Sequence, residues 1–352
     1  MGATRGRMRV GGFARLMVVG VMLCGGAIFS SQAWADDFIA VGDQPTVLVG
    51  DVAYLDADRF FSRYGLSSKG GAKADAWTFS SAWTTIELNA DSRECRFNEQ
   101  RVFLGSGVIK REQGLWIDRV DAEKLFAPLL KAATYAASVR PVRKIVIDAG
   151  HGGKDGGTRH AERKLNEKTF TLDVAERLGA ILDQQGYEVV FTRTRDEYIG
   201  LKERAMFARA AQPDVFVSLH FNAAGRAAVK GVETYVLTPR HQRSTSSAAS
   251  DASDHNVESG NATDPWNVLL GYEIHRALGK QLGAPDRGLK RARFAVLRLA
   301  ECPAVLVEAG YLSNDQEAQK IATPAYRSEI AQAVATGIVA YANTVLSVLP
   351  RP

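Results

Sequence analysis

Five apolar runs of strand length alternate with helix-patterned or polar sequence from residue 144 onward. Parallel strands need a long crossover, usually a helix, so this alternation is typical of a sheet with helices on its faces. We therefore predict an α/β fold, a mostly parallel sheet flanked by helices, for residues 144–346. The predicted strands are Lys144–Asp148, Tyr187–Thr192, Val215–His220, Gly231–Leu237 and Ala304–Glu308.

Two apolar stripes with helical spacing complete this pattern. Their residues recur every three or four positions, which places each stripe on one face of a helix. A Thr-Pro pair at residues 323–324 precedes the second stripe and is a helix start signal, and we expect this last helix to cover one face of the sheet. The stripes are Phe170, Val174, Leu178 and Ile181, then Tyr326, Ile330, Val334, Ile338 and Tyr341.

The sequence before residue 139 has a different character. It contains short alternating runs typical of strands, and Arg96–Phe103 has the pattern of a hairpin. We predict a small α+β accessory domain over residues 36–138, joined by a linker at 139–143 to a catalytic domain at 144–346. All six histidines follow residue 150, so we expect the acid–base and metal chemistry in the C-terminal part.

Residues 1–35 have the pattern of a secretory signal peptide. Four arginines and no acidic residue accompany an apolar run, Leu16–Phe29, that is followed by Ala33-Trp34-Ala35. The run is short for a membrane span, so we expect export to a periplasm or cell wall without stable membrane insertion; a retained anchor is the alternative. Without these arginines the formal charge of +5 falls close to zero, which argues against nucleic-acid binding.

The remaining cysteines, Cys95 and Cys302, form no metal-binding or disulfide pattern.

The segment Val146–Gly157, VIDAGHGGKDGG, places a histidine in a glycine-rich loop directly after the first predicted strand. A phosphate-binding P-loop is excluded, because Asp148 stands where its first glycine is required and Asp155 where Ser or Thr is required. A plain turn and a metal site are the remaining interpretations of His151.

Three titratable residues lie at predicted strand ends: His151 follows the first strand, His220 closes the third and Glu308 closes the fifth. The carboxyl ends of parallel strands meet at one sheet edge, where α/β proteins bind ligands. Glu167 precedes Phe170 by three positions and so lies on the buried face of its helix. A buried carboxylate requires compensation, and two imidazoles with one carboxylate form the His₂Glu set of catalytic zinc sites.

Each of these residues also has a plain structural interpretation. His151 could be a turn residue and His220 a core histidine. Glu167 could serve only to stabilise a helix N-terminus through the helix dipole. A metal site requires that all of them meet, which the sequence alone leaves open.

At these residues the sequence is similar to the zinc-dependent N-acetylmuramoyl-L-alanine amidases, which cut peptidoglycan between the lactyl group of muramic acid and the first L-alanine of the stem peptide. The similarity covers about residues 142–345. The motifs that carry it occur in the order VIDAGHGGKDGG, NEKTFTLDVAERL, TRTRDEYIGLKERAMFARA, SLHFNA, GVETYV, FAVLR and PAVLVEAGYLSN.

The resemblance implies that His151, Glu167 and His220 bind Zn²⁺, that Glu308 is the catalytic acid/base, and that peptidoglycan is the substrate. Glu308 would take the proton of zinc-activated water and return it to the leaving amine. A zinc peptidase acting within stem peptides and a cell-wall binding protein without turnover are the alternatives. We expect Asn222 and Glu233, near strand ends, to contact substrate or support the site.

The segment Ser244–Pro265 interrupts the alternation with small polar residues, which predicts a mobile loop. In some members of the family a helix inserted in this region blocks the zinc until an activator protein displaces it. The sequence here is a poor helix former, which favours a flexible loop on the substrate side and leaves an activator as a candidate partner.

We expect Asp196 and Arg204 to form a supporting ion pair. The histidines expected to be structural or exposed are His160, His255 and His275.

Overall fold

The computed structural model describes residue 44 and residues 46–70, 75–111, 114–160 and 162–350. The predicted signal peptide lies outside these residues, which belong to one compact unit. The strands are β1 (Thr46–Val49), β2 (Val52–Asp56), β3 (Ser67–Lys69), β4 (Ala76–Ser80), β5 (Thr85–Asn89), β6 (Glu94–Phe97), β7 (Gln100–Phe103), β8 (Ile109–Arg111), β9 (Gly114–Asp118), β10 (Lys144–Ala149), β11 (Arg159–His160), β12 (Leu165–Asn166), β13 (Glu188–Phe191), β14 (Val215–Asn222), β15 (Val232–Leu237), β16 (Asp286–Ala292) and β17 (Ala304–Tyr311).

The helices include both predicted stripes, on α4 and α9. Short 3₁₀ helices occur at Ala132–Ser138, Ala252–His255 and Ser259–Thr263, and a π-helical turn at Ala122–Phe126. The α-helices are α1 (Ala57–Ser62), α2 (Arg119–Asp121), α3 (Ala127–Leu130), α4 (Glu167–Gln184), α5 (Leu201–Ala211), α6 (Asp264–Leu282), α7 (Ala295–Arg298), α8 (Asp315–Ile321) and α9 (Pro324–Val348).

Eleven of the described strands form one sheet, in the order β13-β10-β14-β17-β15-β16-β7-β6-β5-β4-β3. The strands β13, β10, β14 and β17 run parallel to one another. β15 runs antiparallel to β17, and β3 to β7 form an antiparallel meander. The sheet is therefore mixed, and the prediction of a mostly parallel sheet is corrected.

Connection length explains this mixed topology. Residues 223–231 join β14 to β15 without a helix, so the chain turns back at the same sheet edge instead of crossing over. The predicted hairpin is formed by β6 and β7, and Asn98 and Glu99 in its turn have positive φ angles of 48° and 68°. Two consecutive residues at positive φ match the twist of an antiparallel pair.

Both faces of the C-terminal half of the sheet are buried by helices. Ile145 and Ile147 of β10 belong to the main core, with residues of α4, α6 and α9. Val146, between them, belongs to a second cluster with Ala208 of α5 and Leu297 of α7. Alternate strand residues thus point to opposite faces, as expected for a covered sheet.

Helix α9 packs against α4 and α6 on the main-core face. It is long and apolar enough to span a membrane by composition. Its apolar residues, such as Ile330, Val334 and Ile338, are buried in the core, and this burial accounts for the composition.

The N-terminal strands extend the same sheet. β7 pairs with β16 through Val102 and Leu289, and β1, β2, β9 and β8 form a second sheet. Phe60 and Phe79 of the N-terminal part belong to the main core together with Ile147. The division into accessory domain, linker and catalytic domain stays a prediction.

Candidate metal centre

Three neighbouring strands bring predicted site residues to one edge of the sheet. His151 follows β10, whereas His220 on β14 and Glu308 on β17 are cross-strand partners. Both strands continue past the predicted ends, to Asn222 and Tyr311. His220 and Glu308 therefore lie within their strands, and their side chains are fixed by the sheet rather than by loops.

His151, Glu167 and His220 form a group whose ligand atoms all lie within 4.8 Å of one another. Oε1 of Glu167 lies 3.1 Å from Nε2 of His151 and 2.9 Å from Nδ1 of His220. The two imidazole rings have centroids 4.9 Å apart and are nearly perpendicular. Two nitrogen donors and one carboxylate oxygen thus converge, which is what a divalent ion with an open coordination position requires.

Glu167 is the first residue of α4, and only 2% of its surface is exposed. The backbone N–H groups of Thr158 and Phe221 donate to its two carboxylate oxygens, at 2.8 and 3.0 Å. Burial opposes ionisation, but hydrogen bonds from the two histidines hold the pKa of Glu167 well below its usual range. The group is therefore available as an ionised ligand. Its place at the helix N-terminus adds to this effect.

The backbone of His151 is in the left-handed region, with φ of 61°, which costs a non-glycine residue about 1–3 kcal/mol. Two buried arginines hold this turn. Arg204 donates to the carbonyl oxygens of Ala149 and His151, at 2.7 and 2.6 Å. Arg193 donates to those of Ala149 and Gly150, each at 2.9 Å. Charged donors to three successive carbonyls compensate the strain.

The ring of His151 is oriented by Asp155, whose Oδ2 lies 2.9 Å from Nδ1. Nε2 is thereby directed toward Glu167. A carboxylate partner on the distal ring nitrogen is the usual arrangement for a metal-binding histidine. Burial disfavours the charged ring, yet contacts with Glu167 and Asp155 raise the pKa of His151 above its ordinary value. Protons therefore compete with a metal for Nε2 of His151.

Two glycines of the loop leave space for the ligand side chains. A Cβ atom at Gly150 would lie 2.3 Å from Cε1 of His220. At Gly157, where φ is 65°, it would lie 2.6 Å from both Oε2 of Glu167 and Cδ2 of His151. Any side chain at either position would displace a ligand, so the glycine-rich loop is required by the packing of the site.

Glu308 has a buried Oε2 atom without a hydrogen-bond partner among the described residues. Burial, with the carboxylates of Glu167 and Glu233 nearby, raises the pKa of Glu308 well above its usual range. A carboxyl group whose pKa is raised by burial and neighbouring carboxylates is suited to proton transfer as a general acid or base. Glu308 thus has the properties of an acid/base group beside the candidate ligands His151, Glu167 and His220.

Glu233 is the cross-strand partner of Glu308 on β15 and is 1% exposed. Lys290 and Arg287 form ion pairs with it, at 2.7 and 2.8 Å, and the Tyr235 hydroxyl donates to it at 2.6 Å. Burial opposes ionisation, but Lys290 and Tyr235 lower the pKa of Glu233 to about 2. Both carboxylate oxygens of Glu233 are already bonded by these partners. The geometry therefore favours a role in supporting the site over direct contact with substrate.

A pocket of about 420 Å³ is lined by His151, Glu167, His220 and Glu308. Asn222 also lines it, and its Nδ2 donates to Glu233 at 3.2 Å. The aromatic rings of Tyr198 and Phe294 lie at its rim, 48% and 40% exposed. Neither ring has a sequence signal that marks it as a site residue, although Phe294 begins the FAVLR motif.

The predicted ion pair between Asp196 and Arg204 is wrong. Arg204 pairs with Asp148 at 2.7 Å, and both side chains are buried. Asp196 instead contacts Lys168 at 2.6 Å. The α5 helix points Arg204 inward, toward β10, whereas Asp196 lies in the exposed segment before that helix. Asp148 is also bonded by Thr192 and Ser218 hydroxyls, each at 2.7 Å.

The polar segment before α6 contains two 3₁₀ helices, and its α-helix begins only at Asp264. This agrees with the poor helix-forming composition. Arg93 of the N-terminal part donates to the carbonyl oxygens of Ser244 and Ser247. His255 contacts His241 rather than the ligand group.

The two other histidines have structural partners. His275 is buried between Thr234 and Asp286, at 3.1 and 2.9 Å. His160 lies 3.5 Å from Asp315. Their predicted structural role is consistent with these contacts.

Residues 145–340 match the protein family described as N-acetylmuramoyl-L-alanine amidase. The chain is similar to N-acetylmuramoyl-L-alanine amidase LytC of Bacillus subtilis, with 34% identity over 56% of this chain and 35% of LytC. It is also similar to N-acetylmuramoyl-L-alanine amidase AmiC of Neisseria meningitidis, with 32% identity over 60% of this chain and 55% of AmiC. The chain thus spans well under two thirds of either relative. The solved catalytic domain of CwlV, an N-acetylmuramoyl-L-alanine amidase from Bacillus (Paenibacillus) polymyxa, aligns with 57% of this chain and 98% of that domain, at 35% identity and a TM-score of 0.47.

Proposed function

Because this chain belongs, through residues 145–340, to the N-acetylmuramoyl-L-alanine amidase family, we propose that it hydrolyses the amide bond between N-acetylmuramic acid and L-alanine in peptidoglycan. The observation that carries the proposal is the group of His151, Glu167 and His220 beside Glu308 in one pocket. Separate structural roles, as a turn residue, a core histidine or a charge at a helix N-terminus, do not explain why these side chains lie together.

The donor set fits Zn²⁺. Calcium and magnesium prefer oxygen ligands, whereas two imidazole nitrogens with one carboxylate oxygen suit zinc. We propose that His151, Glu167 and His220 hold the ion, with Asp155 orienting the His151 ring. Bound zinc at such a set lowers the pKa of a coordinated water and polarises a substrate carbonyl.

Glu308 is the proton carrier in this proposal. Its carboxylate takes a proton from the attacking water and delivers it to the amide nitrogen as the carbon–nitrogen bond breaks. The products are a free lactyl carboxylate and an L-alanine amine, and no covalent enzyme intermediate is needed. Glu233, held negative by Lys290 and Arg287, favours the protonated form of Glu308 that the second step uses.

We further propose export to a periplasm or cell wall, since peptidoglycan lies outside the cytoplasmic membrane and residues 1–35 have the pattern of a signal peptide. The N-terminal strands would then bind the wall or position the catalytic part. An activator protein remains a candidate partner. Hydrolysis by the purified chain alone, compared with hydrolysis in a cell-envelope extract, tests whether one is required.

Muropeptide mass spectrometry on digested sacculi tests the activity. We expect the chain to release intact stem peptides with a free L-alanine amine. Glu308→Gln should lower the rate by about 10³-fold or more while metal analysis still finds one zinc, and His220→Ala should lose both zinc and activity. Glu329→Gln, at an exposed position on α9, is the matched control and should retain both.

The same experiment distinguishes the two alternatives. Products cleaved between amino acids of the stem would identify a zinc peptidase. Wall lysis that is unchanged in Glu308→Gln, or zinc-free protein with full activity, would contradict the proposed mechanism.

A further inference from the structure

A strip of aromatic and basic side chains leads from the pocket rim across the sheet to the N-terminal strands. We propose that this strip, Phe294, Tyr235, Lys290, Phe103 and Arg101, binds the acidic stem peptide of the substrate. The inference rests on the proposed amidase function and assigns a substrate-binding role to β7, which precedes the family-matched residues.

The members of the strip are in continuous contact. Phe294 lines the pocket, and its ring centroid lies 5.2 Å from that of Tyr235. Nζ of Lys290 lies 5.8 Å from the Tyr235 ring and 5.6 Å from the Phe103 ring. Cζ of Arg101 lies 5.2 Å from the Phe103 ring. Alternating rings and cations of this kind stabilise each other.

Strand register places the strip on the face that carries Glu308. Glu233 is the cross-strand partner of Glu308, and Tyr235, two residues further along β15, shares its face. Tyr235 in turn pairs with Lys290 of β16. This row of side chains therefore crosses the sheet on the Glu308 face, two residues along β15 from the Glu308–Glu233 pair.

The register of β16 with β7 extends the same face. Leu289 and Val102 are partners and are buried in the main core. Their neighbours along the strands, Lys290 and the pair Arg101 and Phe103, consequently point to the opposite side. A Cβ atom at Gly288 would lie 2.7 Å from the Phe103 ring, so glycine at this position allows the ring to lie against β16.

The length of the strip matches a short peptide. β17, β15, β16 and β7 are successive strands, and three spacings of about 4.8 Å separate the first from the last by about 14 Å. An extended peptide covers about 3.4 Å per residue, so a stem of about four residues that begins at Glu308 reaches β7.

The charge of this face complements an acidic peptide. Across β15, β16, β7 and β6 it carries three cations, Lys290, Arg287 and Arg101, against two carboxylates, Glu233 and Glu94. Arg101 pairs with Glu94 of β6, and both side chains remain about one-third exposed, at 33% and 37%. An exposed ion pair is weak, so a peptide carboxylate can take the place of Glu94.

Two substrates test the proposal in the full chain. One is N-acetylmuramic acid with a tetrapeptide stem that has free carboxylates; the other is N-acetylmuramoyl-L-alanine amide, which ends before the strip. We expect Arg101→Gln and Phe103→Ala to raise KM for the tetrapeptide substrate about 10-fold with little change in kcat. Both variants should change kcat/KM for the short substrate less than twofold.

Arg111→Gln, at an exposed position of β8 in the other sheet, is the matched control and should behave as the unaltered chain on both substrates. Turnover of the short substrate also shows that each variant is folded. Equal effects of a substitution on both substrates, or no effect on either, would contradict the proposal that the strip binds the stem peptide. Failure of the unaltered chain to cleave either substrate would instead overturn the proposed function.

Discussion

At the scale of single residues, the site depends on positions that carry no chemistry of their own. His151 is held at a strained φ of 61° only because Arg193 and Arg204 bond the carbonyls around it. Gly150 leaves the volume that His220 fills. The positions of the candidate ligands His151 and His220 thus depend on hydrogen bonds to the backbone and on the absence of one methyl group.

Gly150→Ala tests this dependence. Its added Cβ would lie 2.3 Å from His220 Cε1, so the imidazole must move and we expect zinc affinity to fall about 10-fold or more, by analogy with losses at groups that orient ligands. Zinc titration against a competing chelator measures the change. Gly225→Ala, where nothing lies within 4 Å of the added carbon, should leave zinc affinity unchanged. Equal affinities in the two variants would contradict the packing argument.

The convergence of the four candidate site residues could be predicted from the sequence because each stands at a recognisable place on an element. His151, His220 and Glu308 follow or end apolar runs, and Glu167 falls on an apolar helix stripe. Their supporting residues have no such signal. Arg204 reaches Asp148 across 56 positions of sequence, and only the three-dimensional path of α5 brings the two together.

At the scale of elements, strands with apolar runs could be predicted and one without such a run could not. β16, DRGLKRA, contains four charged residues among its seven. On one face Arg291 pairs with Asp121, and on the other Lys290 pairs with Glu233. These pairs form only in the folded chain, so the strand could not be predicted from its own sequence. The direction of β15 was also missed, because it is decided by a connection of residues 223–231 that forms no helix.

The junction between β9 and α2 predicts a pH-dependent stability. Burial and the neighbouring Asp121 carboxylate raise the pKa of Asp118 to about 7. The unfolded chain would titrate near the ordinary value of about 3.9, so the folded state holds the extra proton between these values. This contribution to stability is complete below about pH 4 and is lost as pH rises through about 7.

We therefore expect the Tm to fall by about 3–5 °C between pH 5 and pH 8. Asp118→Asn cannot ionise and should make this part of the profile less steep, whatever its effect on absolute stability. Thermal unfolding followed by circular dichroism at several pH values measures the slope. Asp51→Asn, at an exposed position, should keep the slope of the unaltered chain, and a slope in Asp118→Asn equal to that of the unaltered chain would contradict the assignment.

At the scale of the whole molecule, the N-terminal strands and the family-matched region are joined by buried polar contacts as well as by the sheet. Gln100 donates to the carbonyl of Tyr272, and Trp266 donates to Ser138. Arg291 of β16 pairs with Asp121 of α2 at 2.5 Å, and both are almost fully buried. Apolar residues from both parts share the main core. We therefore expect the described unit to unfold cooperatively.

Calorimetry of Arg291→Ala tests this coupling. The substitution leaves the Asp121 carboxylate buried without its cation, which costs about 3–5 kcal/mol, and the Tm should fall by about 5–8 °C. Because the parts share one core, the unaltered chain should give a single transition that moves as a whole in the variant. Arg276→Ala removes an exposed pair with Glu273 and should lower the Tm by less than about 3 °C. Two separate transitions, with only one displaced by Arg291→Ala, would instead support an accessory domain that folds independently of the catalytic domain.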